Sequence, residues 1–113
     1  MTVHLNQGRP SAWVARFAPL VPAGEVLDLA CGGGRHSRLF AGLGHPVLAV
    51  DRDVAALSAT ASQNIRTWQF DLERDGAERD PGWPLQPARY AGIVVTNYLH
   101  RPLFSSLLTS LAP

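Results

Sequence analysis

Short unbroken apolar runs alternate along this chain with segments in which apolar residues recur every three or four positions. The runs are Val26 to Ala30, the stretch from His45 to Asp53 that carries Val47-Leu48-Ala49-Val50, Ile65 to Asp71, and Tyr90 to His100. Their length and apolar character predict buried strands, and the second and third each end in an acid. Between them, helical spacing is read over Ser11 to Leu20, with Trp13, Phe17 and Leu20 on one face, and over Arg35 to Leu43, with Leu39, Phe40 and Leu43 facing a sheet. A third helix is read over Asp53 to Ala61, where Asp53 is placed to cap the N-terminus and Val54, Leu57 and Ala61 fall at i, i+3 and i+7. Pro102 to Leu111, with Leu103, Leu107, Leu108 and Leu111, is the last. Four strands alternating with helices predict βαβ units, a parallel sheet and right-handed crossovers. Leu72 to Arg89 holds five Pro and Gly residues and a mixed-charge run, and is expected to be a surface loop within one domain of residues 1–113.

The first strand runs directly into Gly32-Gly33-Gly34 and a helix start, Arg35-His36-Ser37. Glycine here permits φ > 0 and lets a ligand approach bare backbone, while the helix start offers free N–H groups and a positive dipole end. Asp28 is the exception in an apolar strand. Burying its carboxylate costs several kcal/mol, roughly, unless it is satisfied, so it should meet N–H groups of the glycine loop or a cationic ligand group. Asp51 follows Gly32 by about the 20 residues that bring a second-strand carboxylate beside a ribose, where it can accept from both hydroxyls. His36, in the first helical turn, is expected at the surface. Asn97, Tyr98 and His100 fall at the end of the fourth strand, where open α/β sheets place ligands.

The run Asp28-Leu29-Ala30-Cys31-Gly32-Gly33-Gly34-Arg35-His36-Ser37 resembles motif I of class I S-adenosylmethionine-dependent methyltransferases, in particular the small-molecule branch that includes the tellurite-resistance methyltransferases. The resemblance implies a Rossmann-like three-layer α/β sandwich whose parallel sheet has seven strands, of which this chain supplies four, in the order 3-2-1-4. It also implies S-adenosyl-L-methionine as cofactor and a small-molecule acceptor. The cofactor-binding set it implies is Asp28, Ala30, Cys31, Gly32, Gly33, Gly34, Asp51, Arg52, Asp71, Leu72 and Asn97. Within that set Asp28 faces the cofactor's amino group and Asp71 accepts from the adenine amine. No catalytic residue is assigned. The resemblance covers the cofactor-binding half of the family's domain, so the chain is expected to be truncated at its C-terminal end and weakly active or inactive alone. Its fourth strand, an edge without its usual neighbour, is expected to join the chain into a dimer or larger assembly, or else to leave it unstable.

Two other readings stay open. Gly32-x-Gly34-x-x-Ser37 with Asp51 half-matches the fingerprint of nicotinamide-dependent Rossmann oxidoreductases, and a non-catalytic cofactor-binding fragment would need no acceptor. The acid ahead of the glycines and the acid after the third strand favour the methyltransferase. Cys31 invites comparison with a nucleophile, but no base accompanies it, and methyl transfer from a sulfonium needs no covalent enzyme intermediate. A small packing residue is the simpler expectation. Trp13 and Phe17 suit either a lid over the site or a face packed on the sheet.

Composition narrows the class without changing it. With 46% hydrophobic residues and a formal charge of +1, the chain reads as an ordinary globular domain. All ten basic residues are arginine, yet they are interspersed with nine acids and form no stripe, so no nucleic-acid partner is expected. No metal-ligand spacing, leader-like start or membrane-length apolar run is present. One cysteine forms no internal disulfide, and a cytoplasmic setting is expected.

Overall fold

The computed structural model describes residues 11–29, 31–95 and 108–112. Four parallel strands, β1 (Val26–Leu29), β2 (Val47–Asp51), β3 (Ile65–Gln69) and β4 (Gly92–Val95), form a sheet in the order β3-β2-β1-β4. Leu29 stands beside Val50 on one side and Val95 on the other, so β1 is central and its four residues are all buried. Strand β3 is an edge, and of its residues only Ile65 is buried. Arg66 on this edge pairs with Glu25 at 2.6 Å, a charge that discourages pairing with another chain.

Alternation along the strands divides the core in two. Val26, Val47, Ala49, Ile65 and Val94 face one way, toward Phe40 of α2 (Arg35–Gly42) and Leu57 of α3 (Val54–Thr60). Leu27, Leu29, Leu48 and Val50 face the other way, toward Phe70, Leu72, Ala77, Leu85 and Tyr90. That second face corrects the surface-loop expectation for Leu72 to Arg89. The segment contains a 3-10 turn, Ala77–Arg79, and buries Leu72, Ala77 and Leu85 against the sheet. Isolated apolar residues among charges carry no periodic signal, which is why composition pointed to solvent.

The N-terminal helix is shorter than its spacing predicts and turned by one position. Helix α1 spans Ala12–Phe17 and tightens into a 3-10 turn at Ala18–Leu20. Trp13 and Leu20 are 69% and 74% exposed, and Phe17 is also exposed. The stripe that packs is Val14, Ala18 and Val21, where the small Ala18 lets the helix lie close to the sheet. Leu43, Val54 and Ala61, expected on packed helix faces, are likewise exposed. Asp53 caps α3 as its position predicts, accepting from the Ala55 N–H at 2.9 Å. Within Pro102 to Leu111, residues 108–110 are helical and residues 102–107 lie outside the described residues.

Candidate functional site

Three carboxylates, on or just beyond β1, β2 and β3, lie toward the carboxyl end of the sheet, around the turn that follows β1. Gly32 and Gly34 in this turn have φ of +55° and +81°, whereas Gly33 does not have positive φ, which corrects the expectation that all three glycines are needed for backbone freedom. Their roles separate further by space. A side chain at Gly34 would meet Thr60 at 2.6 Å, while one at Gly32 or Gly33 would meet nothing within 4 Å. Gly34 therefore packs the turn onto the end of α3, and the other two leave an open face.

Asp51 ends β2 and holds that turn. Its Oδ2 accepts from the Gly32 N–H at 3.0 Å and its Oδ1 from the Asp53 N–H at 2.9 Å, fixing the carboxylate plane beside the open glycines. Asp51, Arg52, Asp71 and Leu72 together line a cavity of about 230 Å³ with Val50, Phe70 and Glu73. Asp71 lies just past β3, and its Oδ1 accepts from the Glu73 N–H at 3.0 Å. A second cavity of about 360 Å³ adjoins it, sharing Arg52, Phe70 and Asp71 and reaching Trp68 and Arg74.

Asp28 lies deeper, 1% exposed, on the face of β1 that looks toward α2. Its Oδ2 accepts from the Ser37 hydroxyl at 2.6 Å and not from glycine N–H groups, one of the two kinds of partner expected from sequence. Its Oδ1 is buried without a hydrogen-bond partner. Burial pushes its carboxyl up to about 6, against the pull of Ser37 and of the Arg35 charge.

Cys31 is buried behind the turn, its N–H donating to the Val50 carbonyl at 3.1 Å. Burial, with Asp28 nearby, pushes its thiol up to about 12, so it is a packing group and not a thiolate nucleophile. His36 is also buried, contrary to expectation. Its Nε2 accepts from the Ser11 N–H at 3.0 Å, tying α1 to the first turn of α2. Ala30 and Asn97 of the expected set, and Tyr98 and His100 beside them, lie outside the described residues. Among the described residues no group of three or more His, Cys, Asp or Glu could hold a metal ion, and no helix is long and apolar enough to cross a membrane.

Sequence reasoning missed three supports of the turn. Ser37 holds Asp28, the Thr60 hydroxyl donates to the Gly32 carbonyl at 3.3 Å, and Arg38 Nη1 donates to the Gly33 carbonyl at 2.7 Å. Only Ser37 had a signal, as a polar residue on the sheet-facing side of a helix start next to a buried acid.

No family model matches the sequence, and no curated protein matches it. Solved structures do. The glycopeptide N-methyltransferase MtfA complexed with sinefungin superposes with a TM-score of 0.66 at 22% identity over 93% of this chain and 47% of that one. An S-adenosylmethionine-dependent methyltransferase from Mesorhizobium loti gives 0.65 at 21% identity, over 88% and 48% of the two chains. The 1,6-didemethyltoxoflavin-N1-methyltransferase of Burkholderia thailandensis, with 1,6-didemethyltoxoflavin and S-adenosylhomocysteine bound, gives 0.57 at 24%, over 90% and 47%. The chain thus spans about half the length of these structures. Over that half, it has the Rossmann-like fold of the class I methyltransferases.

Proposed function

We propose that this chain binds S-adenosyl-L-methionine and forms the cofactor-binding half of a methyltransferase acting on a small-molecule acceptor, in the branch that includes the tellurite-resistance enzymes. The observation that carries this reading is the coupling of Asp51 to the Gly32 N–H at the mouth of a cavity that Asp71 also lines. It sets a fixed carboxylate, the group that would accept from a ribose, beside side-chain-free backbone. The residues fit the cofactor on two further counts: the open space at Gly32 and Gly33, and an orphaned carboxylate oxygen on Asp28 that suits an ammonium group.

In this arrangement Asp51 would hold the ribose hydroxyls and Asp71 the adenine amine, with Arg52 and Leu72 beside the base. The glycine turn would carry the methionine half toward Asp28. The cofactor supplies an electrophilic methyl group on a sulfonium. The chain's own contribution is to orient it and exclude water, leaving the acceptor's attack to groups in line with the carbon–sulfur bond. A cytoplasmic setting, weak activity of these 113 residues alone and self-association through β4 belong to the same proposal.

Calorimetric titration tests the reading. S-adenosylhomocysteine should bind and NAD should not, and Asp51→Ala should weaken binding by about 1.5 to 3 kcal/mol, the usual cost of lost charge-assisted hydrogen bonds. Binding of NAD in preference would establish the oxidoreductase instead. Cofactor binding without turnover by the longest available form would leave a binding module.

A further inference from the structure

Ser37 is fully buried, on the first turn of α2, and its hydroxyl donates to Asp28 Oδ2 at 2.6 Å. A hydroxyl at that distance from a carboxylate is a strong, charge-assisted donor, and it favours the ionised form. The Ser37 backbone N–H acts in the same direction but less strongly, and little else around Asp28 does so. Its partners in sheet register, Ala49 and Val94, are apolar. Cys31 beyond the end of β1 is a neutral thiol, and Asp51 at the end of β2 adds a like charge that opposes ionisation. Among the described residues Arg35, at the start of α2, is the one cation acting on it, and it is a weaker influence than the Ser37 contact.

Resting on the cofactor reading above, we infer that Ser37 is a positioning residue that keeps Asp28 ionised and turns its unpartnered Oδ1 toward the ligand's ammonium group. The hydroxyl occupies one oxygen of the carboxylate, and the carboxylate is thereby held in a single orientation with the other oxygen free. Binding is then gated by acidity. As pH falls through about 6, Asp28 takes a proton, its charge disappears, and the ammonium group loses its counterion. Without the hydroxyl, ionisation costs more, and the same loss sets in at higher pH.

The test follows the Asp28 carboxyl by carbon-13 NMR in the ligand-free chain, alongside S-adenosylhomocysteine affinity, from about pH 5 to pH 8. Ser37→Ala should raise the carboxyl midpoint, and Ser37→Thr, which keeps the hydroxyl, should restore it. Ser37→Cys, a near-isosteric but weaker donor, should fall between them, and it serves if the alanine variant does not fold. At neutral pH Ser37→Ala should bind about tenfold more weakly, the equivalent of one hydrogen bond to a charged group. That gap should narrow as pH rises. Coincident midpoints, or an affinity loss equal at every pH, would overturn the inference and leave Ser37 a packing residue. A wild-type chain whose Asp28 titrates as described but which binds no S-adenosylhomocysteine would overturn the proposed function instead.

Discussion

At the residue scale, the three adjacent glycines do different things, and substitution should separate them. Gly33→Val places a side chain where the chain itself offers no obstacle, so circular dichroism should stay near native while cofactor binding is lost. Gly34→Val forces a β-branched residue to φ of +81° and into Thr60, so it should lower the melting temperature sharply, by a few kcal/mol in stability. Equal loss of fold in both would make the whole turn a structural device. Asp28 offers a second expectation, with an unusual sign. Its folded carboxyl titrates near 6 against an ordinary 3.8, so the folded state binds the proton more tightly than the unfolded chain does. Its contribution to stability is therefore largest below about 3.8 and falls as pH rises through about 6. At about 1.4 kcal/mol for each pH unit, the gap amounts to about 3 kcal/mol. Asp28→Asn should accordingly stabilise the ligand-free chain at pH 7 relative to wild type, and denaturant melts at pH 7 and pH 5 should show that advantage shrinking in acid. Much of this site was legible in sequence, because an acid inside an apolar strand and a glycine run after it are local signals. The Ser37 contact and the division of labour among the glycines were not, because they depend on which side chain the folded helix turns inward.

At the scale of elements, all four strand runs and the N-cap of α3 could be read from apolar continuity and one acid. The orientation of α1 could not. Two stripes on that helix have the same period, and the larger, aromatic one is the more conspicuous in sequence, yet the smaller one meets the sheet. The cue that decides between them is a long-range bond from Ser11 to His36, which no local pattern contains. Trp13→Ser should therefore change stability by less than about 0.5 kcal/mol, as for an exposed position. Ala18→Leu should cost about 1 to 3 kcal/mol through overpacking, because Ala18 is 1% exposed. Chemical denaturation of the two variants distinguishes the stripes, and the reverse ranking would return the aromatic face to the core.

At the scale of the whole molecule, both sheet edges bear on association. Edge β3 is polar and charged, while β4 is apolar and has no partner strand on its outer side among the described residues. At the entry to β4 that outer side is met by the chain itself: Tyr90 N–H donates to the Ser110 carbonyl at 2.9 Å, and Ala112 N–H to the Tyr90 carbonyl at 2.8 Å. Beyond Tyr90, the outer backbone groups of Gly92–Val95 pair with no strand among the described residues, and light scattering should show concentration-dependent association of these 113 residues. A stable monomer at every concentration would show that the Ser110 to Ala112 contact is cover enough. Sheet order was legible through the family resemblance, while this contact joins residues with no pairing signal in sequence.

The order β3-β2-β1-β4 also sets a hazard in time. On a ribosome, β1, β2 and β3 leave the exit tunnel before β4, so a nascent chain can pair the first three strands while β4 is still enclosed. In that half-made sheet β1 is an outer strand, its backbone from Val26 to Leu29 unpaired on the side that β4 later takes. The strand most deeply protected in the finished protein is thus the one most exposed to other nascent chains during synthesis.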